Sequence, residues 1–234
     1  MVYKIWKKFP ISYRNKFHRI LQIVNSSRIL LNLFYFRHYL TRFFISRNSC
    51  KNLRIGESLK YSNWLSTNYQ VFTKHFLDAT RIFSTSNNFK YIIADNVIEH
   101  LNLQSGEKML GNMYQALQFG GKIRITTPDL ESICKVYLIA DSNFLLDYAH
   151  DLENHDLDIR YFPDILKSTF NAFGHHKGYI YDFKLLSDIL IRIGFGNIQK
   201  FQAGQSNDLL LKNLEHRTSK SDNWSQMSIE ATKI

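Results

Sequence analysis

The segment from Tyr91 to Asp129 sets the narrowest limit on what this chain can fold into. Tyr91-Ile-Ile-Ala94 is a short apolar run with no charged residue, as a strand buried on both faces requires. A polar turn ending in Glu99-His100 follows it. Ser105 is then placed to cap a helix running to about Gln118, with Met109, Leu110, Met113 and Leu117 on one apolar face. Gly120-Gly121 turns the chain into a second apolar strand, Lys122–Thr127, which Pro128 stops because proline cannot donate a ladder hydrogen bond. A strand–helix–strand unit of this kind demands a parallel sheet. The carboxyl ends of its strands, where Asn96, Glu99, His100 and Asp129 fall, form the edge at which open α/β sheets bind ligands.

The elements around this unit follow the same alternation from residue 52 onward. Leu53–Ile55, ending at Gly56, reads as a first strand, Asn63–Thr67 as a second and Thr73–Leu77 as a third that stops at Asp78. A helix follows from about Leu130 to Ala140. Asp182 caps another from Phe183 to Ile193, closed by Gly194. Strands near Asn197–Phe201 and Met227–Thr232 complete the sheet. Residues 141–181 break the alternation: acidic, then aromatic, then Asn171-Ala-Phe-Gly-His-His-Lys-Gly-Tyr-Ile-Tyr-Asp182. An insertion this long between core elements has the character of a lid or binding segment, with a plain surface excursion as the alternative.

Charge divides the chain near residue 50. The first 54 residues hold twelve Lys or Arg and no Asp or Glu, while the rest hold 18 basic and 20 acidic side chains, so the whole formal net charge of +10 lies in the N-terminal segment. That segment is also rich in large apolar residues, and at helical spacing Arg37, His38, Thr41 and Arg42 share a face. Three roles are open to it: a helical arm packed on the main domain with its charges solvated, a contact for an anionic membrane surface, or an organelle transit peptide. The packed arm is favoured, membrane contact comes next, and nucleic acid is disfavoured because no binding motif or aromatic–basic platform is present. As a separable arm of residues 1–50, it is expected to be dispensable for ligand binding by residues 51–234. No apolar run reaches the ~18 residues of a membrane span, and Cys50 and Cys134 have neither metal nor redox-pair spacing. The expected location is the cytoplasm, at most peripheral to a membrane.

Taken as a set, Val97-Ile-Glu-His-Leu101, Gly120-Gly121, Thr127-Pro-Asp-Leu130, the His176-Lys…Tyr181-Asp182 segment and Gly194-Phe195 resemble class I S-adenosylmethionine-dependent methyltransferases, in the type 11-like predicted group associated with surface-glycan biosynthesis. The resemblance covers about residues 52–233. It implies a Rossmann-like, seven-stranded, mostly parallel sheet with helices on both faces and its last strand antiparallel, and it implies S-adenosylmethionine as cofactor.

Carried over by position, the resemblance places Gly56 beside the cofactor's amino-acid part, Asn68 at the ribose hydroxyls, Asp78-Ala79 at the adenine, and Asn96 beside the methyl-transfer site. Only Gly56 remains of the glycine-rich turn, and Asn68 stands where an acid is usual, which weakens that contact. The reaction implied is in-line displacement of the sulfonium methyl by a small-molecule or glycan-type acceptor. His176 ranks first as general base, ahead of His100, His175 and Asp129, with Tyr181 orienting the acceptor. Some relatives hold a divalent metal with a Glu-x-x-Glu-His run and a later His. Here Asn96 replaces the first acid, so Glu99 and His100 are expected to anchor their loop and no metal is expected. The other outcome is a methyltransferase-like module that has lost its cofactor and serves interaction or membrane apposition.

Overall fold

The computed structural model describes residues 28–57, 61–70, 73–84, 87–153, 157–215 and 222–234. Helix α1 (Arg28–Arg47) leads into six strands: β1 (Asn52–Ile55), β2 (Leu65–Thr67), β3 (Phe89–Asp95), β4 (Leu117–Pro128), β5 (Phe195–Phe201) and β6 (Gln226–Lys233). Between them lie α2 (Leu103–Ala116), α3 (Leu130–Ile139), α4 (Ser142–Glu153), α5 (Phe162–Asn171), α6 (Phe183–Ile193) and the one-turn α7 (Asp222–Ser225). The sheet order is β2-β1-β3-β4-β6-β5. Strands β2, β1, β3 and β4 are mutually parallel, and β6 runs antiparallel to both β4 and β5. The α/β class and the antiparallel last strand match the sequence expectation.

Register sorts the side chains into two faces. Leu53, Ile92, Ile123 and Ala231 stand in one row, and Ile55, Ala94, Ile125 and Ile229 in another. Both rows belong to the main core, with Met109, Leu110 and Met113 of α2, Leu186, Ile189 and Leu190 of α6, and Ile45 of α1. The intervening row is Arg54, Ile93, Arg124 and Glu230, on the opposite face. There Tyr91 and Ile93 pack on Leu211, so an irregular segment leading to Glu215 covers this part of the sheet where a helix was expected. Helices α3, α4 and α5 build a smaller cluster of their own around Ile133, Tyr148, Leu152 and Ile165.

The irregular segment is fastened by charge. Arg124 is fully buried and donates to Glu215 through Nε (2.6 Å) and a second guanidinium nitrogen (3.2 Å), and to Glu230 at 2.6 Å. Glu215 also accepts from Thr126 Oγ1 and from the Gly204 amide, which fills both its oxygens. Burial alone would raise the Glu215 pKa, but the Arg124 guanidinium overrides it and holds the carboxyl below its usual range.

Three local expectations change. The described sheet has six strands, not seven: Thr73–Leu77 contributes a single parallel bridge, Asn68 to Phe76. Helix α1 contacts this segment, where Arg37 donates to the Thr73 carbonyl and Phe44 stacks on His75. The cap of α2 is Asn102, whose side chain accepts from the Ser105 amide at 2.9 Å. Gly120-Gly121 falls within β4, where Phe89 pairs Leu117 but Tyr91 pairs Lys122, so a bulge rather than a chain reversal absorbs the extra residues.

Helix α1 is docked on the domain. His38, Thr41 and Ile45 face inward and are buried, while Arg37 and Arg42 flank that face rather than form it. Residues 1–27 of the expected arm, and the transit-peptide expectation with them, lie outside the described residues. No described helix is long and apolar enough to cross a membrane.

Candidate functional site

Parallel β1, β2 and β3 end at one edge, and the residues that follow them meet in a cleft of about 530 Å³. Its lining includes Gly56 after β1, Asn68 after β2, Asp78 and Ala79 after the single-bridge segment, Asn96 after β3, and His100. All five positions that the resemblance assigns to the cofactor therefore line one cavity. Ile55, Leu77, Val97 and Leu101 supply apolar wall between the polar groups. This volume and mixture are ordinary for a small-molecule site.

The turn at each strand end has a physical cause. Gly56 adopts φ +86°, and a Cβ added there would lie 2.3 Å from Val97 Cγ2. Glycine is thus required by the chain's own neighbour, whatever ligand approaches. The Gly56 and Glu57 amides both donate to the Thr67 carbonyl, at 2.9 and 3.0 Å. Asn68 donates through Nδ2 to the Gly56 carbonyl and accepts through Oδ1 from the Gln70 amide, so its side chain ties the β1 and β2 exits together. Asn96 holds φ +49°, an uncommon conformation for a residue with a side chain and frequent at functional sites.

Asp78 is held from two sides. Its Oδ1 accepts from the Thr80 amide (3.0 Å) and hydroxyl (2.6 Å), and its Oδ2 lies 3.4 Å from Arg81 Nε. From α1, His38 Nδ1 accepts from the Asp78 amide, which leaves Nε2–H to donate to the Ile82 carbonyl. Burial pushes the His38 pKa down and keeps the ring neutral, as this bonding pattern needs. No sequence signal pointed to His38 as a support of the cleft, because its partners lie forty residues away.

At the other rim, the helical turn Ile98–His100 carries buried Glu99, which accepts from Thr127 Oγ1 at 3.3 Å, and exposed His100. The Ala172–Lys177 turn rests against it: a Cβ at Gly178 would lie 1.7 Å from the Glu99 carbonyl oxygen. This brings buried His175 within 5.1 Å of His100, ring to ring. His175 Nδ1–H donates to the Thr169 carbonyl (2.7 Å), so Nε2 keeps its lone pair. Burial lowers the pKa of both rings, and for His100 the neighbouring His175 adds to the effect. Glu99, His100 and His175 present donor atoms within 4.8 Å of one another, a set able to share a proton or to hold a divalent cation.

Two expected catalytic residues lie elsewhere. His176 is exposed on the turn and does not line the cleft, whereas its neighbour His175 packs against His100. Tyr181 is fully buried in the main core, so close to Gly106 that a Cβ there would lie 2.3 Å from its hydroxyl. Its ring packs in the core, its hydroxyl has no hydrogen-bond partner among the described residues, and burial raises its pKa. Asp129, at the end of β4, is buried and accepts from Lys200 Nζ (2.6 Å) and Ser132 Oγ (2.5 Å). It lines a second cavity of about 740 Å³, together with Gln202, Gln205, Trp224 and Gln226.

No protein-family profile matches this sequence. No curated protein matches it either. Among solved structures, the chain is similar to the CurJ carbon methyltransferase at 11% identity and a TM-score of 0.45, covering 84% of this chain and 54% of that one. It is similar to an S-adenosylmethionine-dependent methyltransferase of Thermotoga maritima at 13% identity and a TM-score of 0.46, covering 86% of this chain and 94% of that one. It is also similar to one of Archaeoglobus fulgidus at 14% identity and a TM-score of 0.45, with 93% and 99% covered. The chain thus spans about half the length of the CurJ structure and nearly all of the other two.

Proposed function

We propose that this protein binds S-adenosylmethionine in the cleft at the ends of β1, β2 and β3 and transfers its methyl group to a small-molecule or glycan-type acceptor. The observation that carries this reading is the convergence of Gly56, Asn68, Asp78, Ala79 and Asn96 on one cavity. In this assignment Leu77 and Ala79 flank the adenine, Asp78 accepts from its amine, Asn68 meets the ribose, Gly56 faces the amino-acid part, and Asn96 lies beside the methyl-transfer site. The cofactor supplies an already activated sulfonium methyl, so the chain's task is alignment and exclusion of water. His100 borders this cleft with a depressed pKa, so its imidazole is neutral near pH 7 and able to take a proton from an acceptor hydroxyl.

A second reading is favoured by one specific observation. The Gly56 and Glu57 amides are both spent on Thr67, and the Asn68 side chain is engaged at both ends, as a fold kept without its cofactor would allow. Thermal unfolding with and without S-adenosylmethionine separates the two. A ligand at a hundred times its dissociation constant adds about 2.7 kcal/mol, a clear upward shift in Tm. An unchanged Tm at millimolar cofactor would leave the cofactor-free module as the function.

A further inference from the structure

The outward face of α1 is apolar where a solvated helix would be polar. Phe36, Tyr39, Leu40 and Phe43 are 62%, 55%, 52% and 55% exposed. Their spacing puts them on one stripe directly opposite the buried His38, Thr41 and Ile45. Arg47 belongs to the same stripe and lays its guanidinium over the Phe43 ring at 4.2 Å. Exposed aromatic and aliphatic side chains gathered on one face mark a surface that meets something apolar.

Beside this stripe lies a cavity of about 630 Å³ lined by Tyr39, Arg42, Arg81, Lys108 and Asn112, among others, with exposed Ile82 on its wall. Three cations and no carboxylate line it, although Arg81 is partly compensated by Asp78, 3.4 Å from its Nε, and also stacks on the Tyr35 ring. The surrounding sequence is acid-free through residue 54 and carries twelve basic residues. An apolar stripe flanked by cations that outnumber their acidic partners complements an anionic bilayer: rings enter the headgroup boundary while arginine and lysine reach the phosphates.

We infer that α1 is a membrane-surface contact, its Phe36–Phe43 stripe entering an anionic lipid bilayer and the Arg42–Arg81–Lys108 cavity receiving a phosphate-bearing headgroup. Thr80 lines both this cavity and the candidate active-site cleft. The bound surface therefore sits next to the cleft, and an acceptor presented at a membrane is within its reach. The inference does not depend on methyl transfer.

The test is sedimentation of the full chain with vesicles of phosphatidylcholine alone and with about 30% phosphatidylglycerol, at two salt concentrations. The expected result is binding only to the anionic vesicles, weakened by salt. Arg42→Gln and Lys108→Gln should each weaken it about fivefold, and Phe36→Ser with Phe43→Ser should weaken it by tenfold or more. Free glycerophosphate at millimolar concentration should compete poorly, because it offers no bilayer for the stripe. Equal binding to neutral and anionic vesicles, no binding to either, or undiminished binding by the charge variants would overturn the inference. Melting curves identify any variant that fails to fold. The two charge variants alter exposed or half-exposed side chains, so they decide the matter even if the aromatic variant unfolds.

Discussion

The two halves of the sheet are held together by opposite means. Around β4 and β6 the polar groups close on each other: Arg124 is shared between Glu215 and Glu230, and Glu215 is filled further by Thr126 and the Gly204 amide. Around β1, β2 and β3 the strand ends open into a cleft, and its shape depends on turns, one glycine and a histidine brought in from α1. A buried ion cluster stabilises only when complete, so the first half is sensitive to the loss of any one member. The second half is assembled from weaker local contacts, as the proposed ligand-binding role would require.

The largest expected effect lies in the closed half. Arg124→Ala leaves two buried carboxylates without their cation and should lower the unfolding free energy by about 3–5 kcal/mol, as read from urea denaturation. Replacing Arg124, Glu215 and Glu230 together with apolar residues of similar volume should recover most of that loss. If it does not, the cluster contributes something beyond charge compensation.

The next effect lies at the strand exit. Gly56→Ala combines a left-handed backbone with a Cβ 2.3 Å from Val97, and it should cost about 1–3 kcal/mol. Adding Val97→Ala should recover only the steric part, which a double-mutant cycle would measure.

His38 gives the third test, and it bears on an expectation drawn from charge alone. The basic segment looked separable at about residue 50, yet His38 holds the Asp78 and Ile82 backbone from within α1. His38→Ala should therefore cost about 1–3 kcal/mol and weaken cofactor binding without touching the cofactor. A protein beginning near Ser49 should likewise bind less tightly than the full chain.

A smaller effect concerns pH. His38, His75, His100 and His175 all have folded pKa values below the ordinary 6.5. The unfolded chain therefore binds more protons in that window, and stability rises with pH through it. Their contribution is fully present above about pH 6.5 and is lost as pH falls below it. Urea midpoints measured through this range should decline with acidification, and less steeply for a His100→Gln, His175→Gln pair.

How much was legible follows the same division. Tyr91–Ala94, the Met109, Leu110 and Met113 face of α2, Pro128, the Asp182 cap and Gly194 at φ +115° act through neighbours in sequence, and the structure shows each as read, whereas Leu117, expected on that helix face, opens β4 instead. Thr73–Leu77 meets the three-residue β2 end through one bridge only, and it is contacted from α1 by Arg37 and Phe44, long-range partners no local pattern reveals. The cleft positions were legible as strand ends, since Gly56, Asn68 and Asn96 each follow a strand. The choice between His175 and His176 was not, because two adjacent histidines differ only in which one the Phe173–Gly174 turn, with both residues at positive φ, directs inward. Tyr181 looked available in sequence and lies in the core because Gly106 leaves room for its ring.

Everything proposed for the cleft rests on its binding S-adenosylmethionine. Calorimetric titration of the full chain and of Asp78→Asn with that cofactor tests it most directly. Saturable one-to-one binding by the full chain is expected, with about tenfold weaker binding by the variant, since a charge-assisted contact becomes a neutral one. No heat from the full chain at millimolar cofactor, or identical affinities for the two proteins, would contradict it.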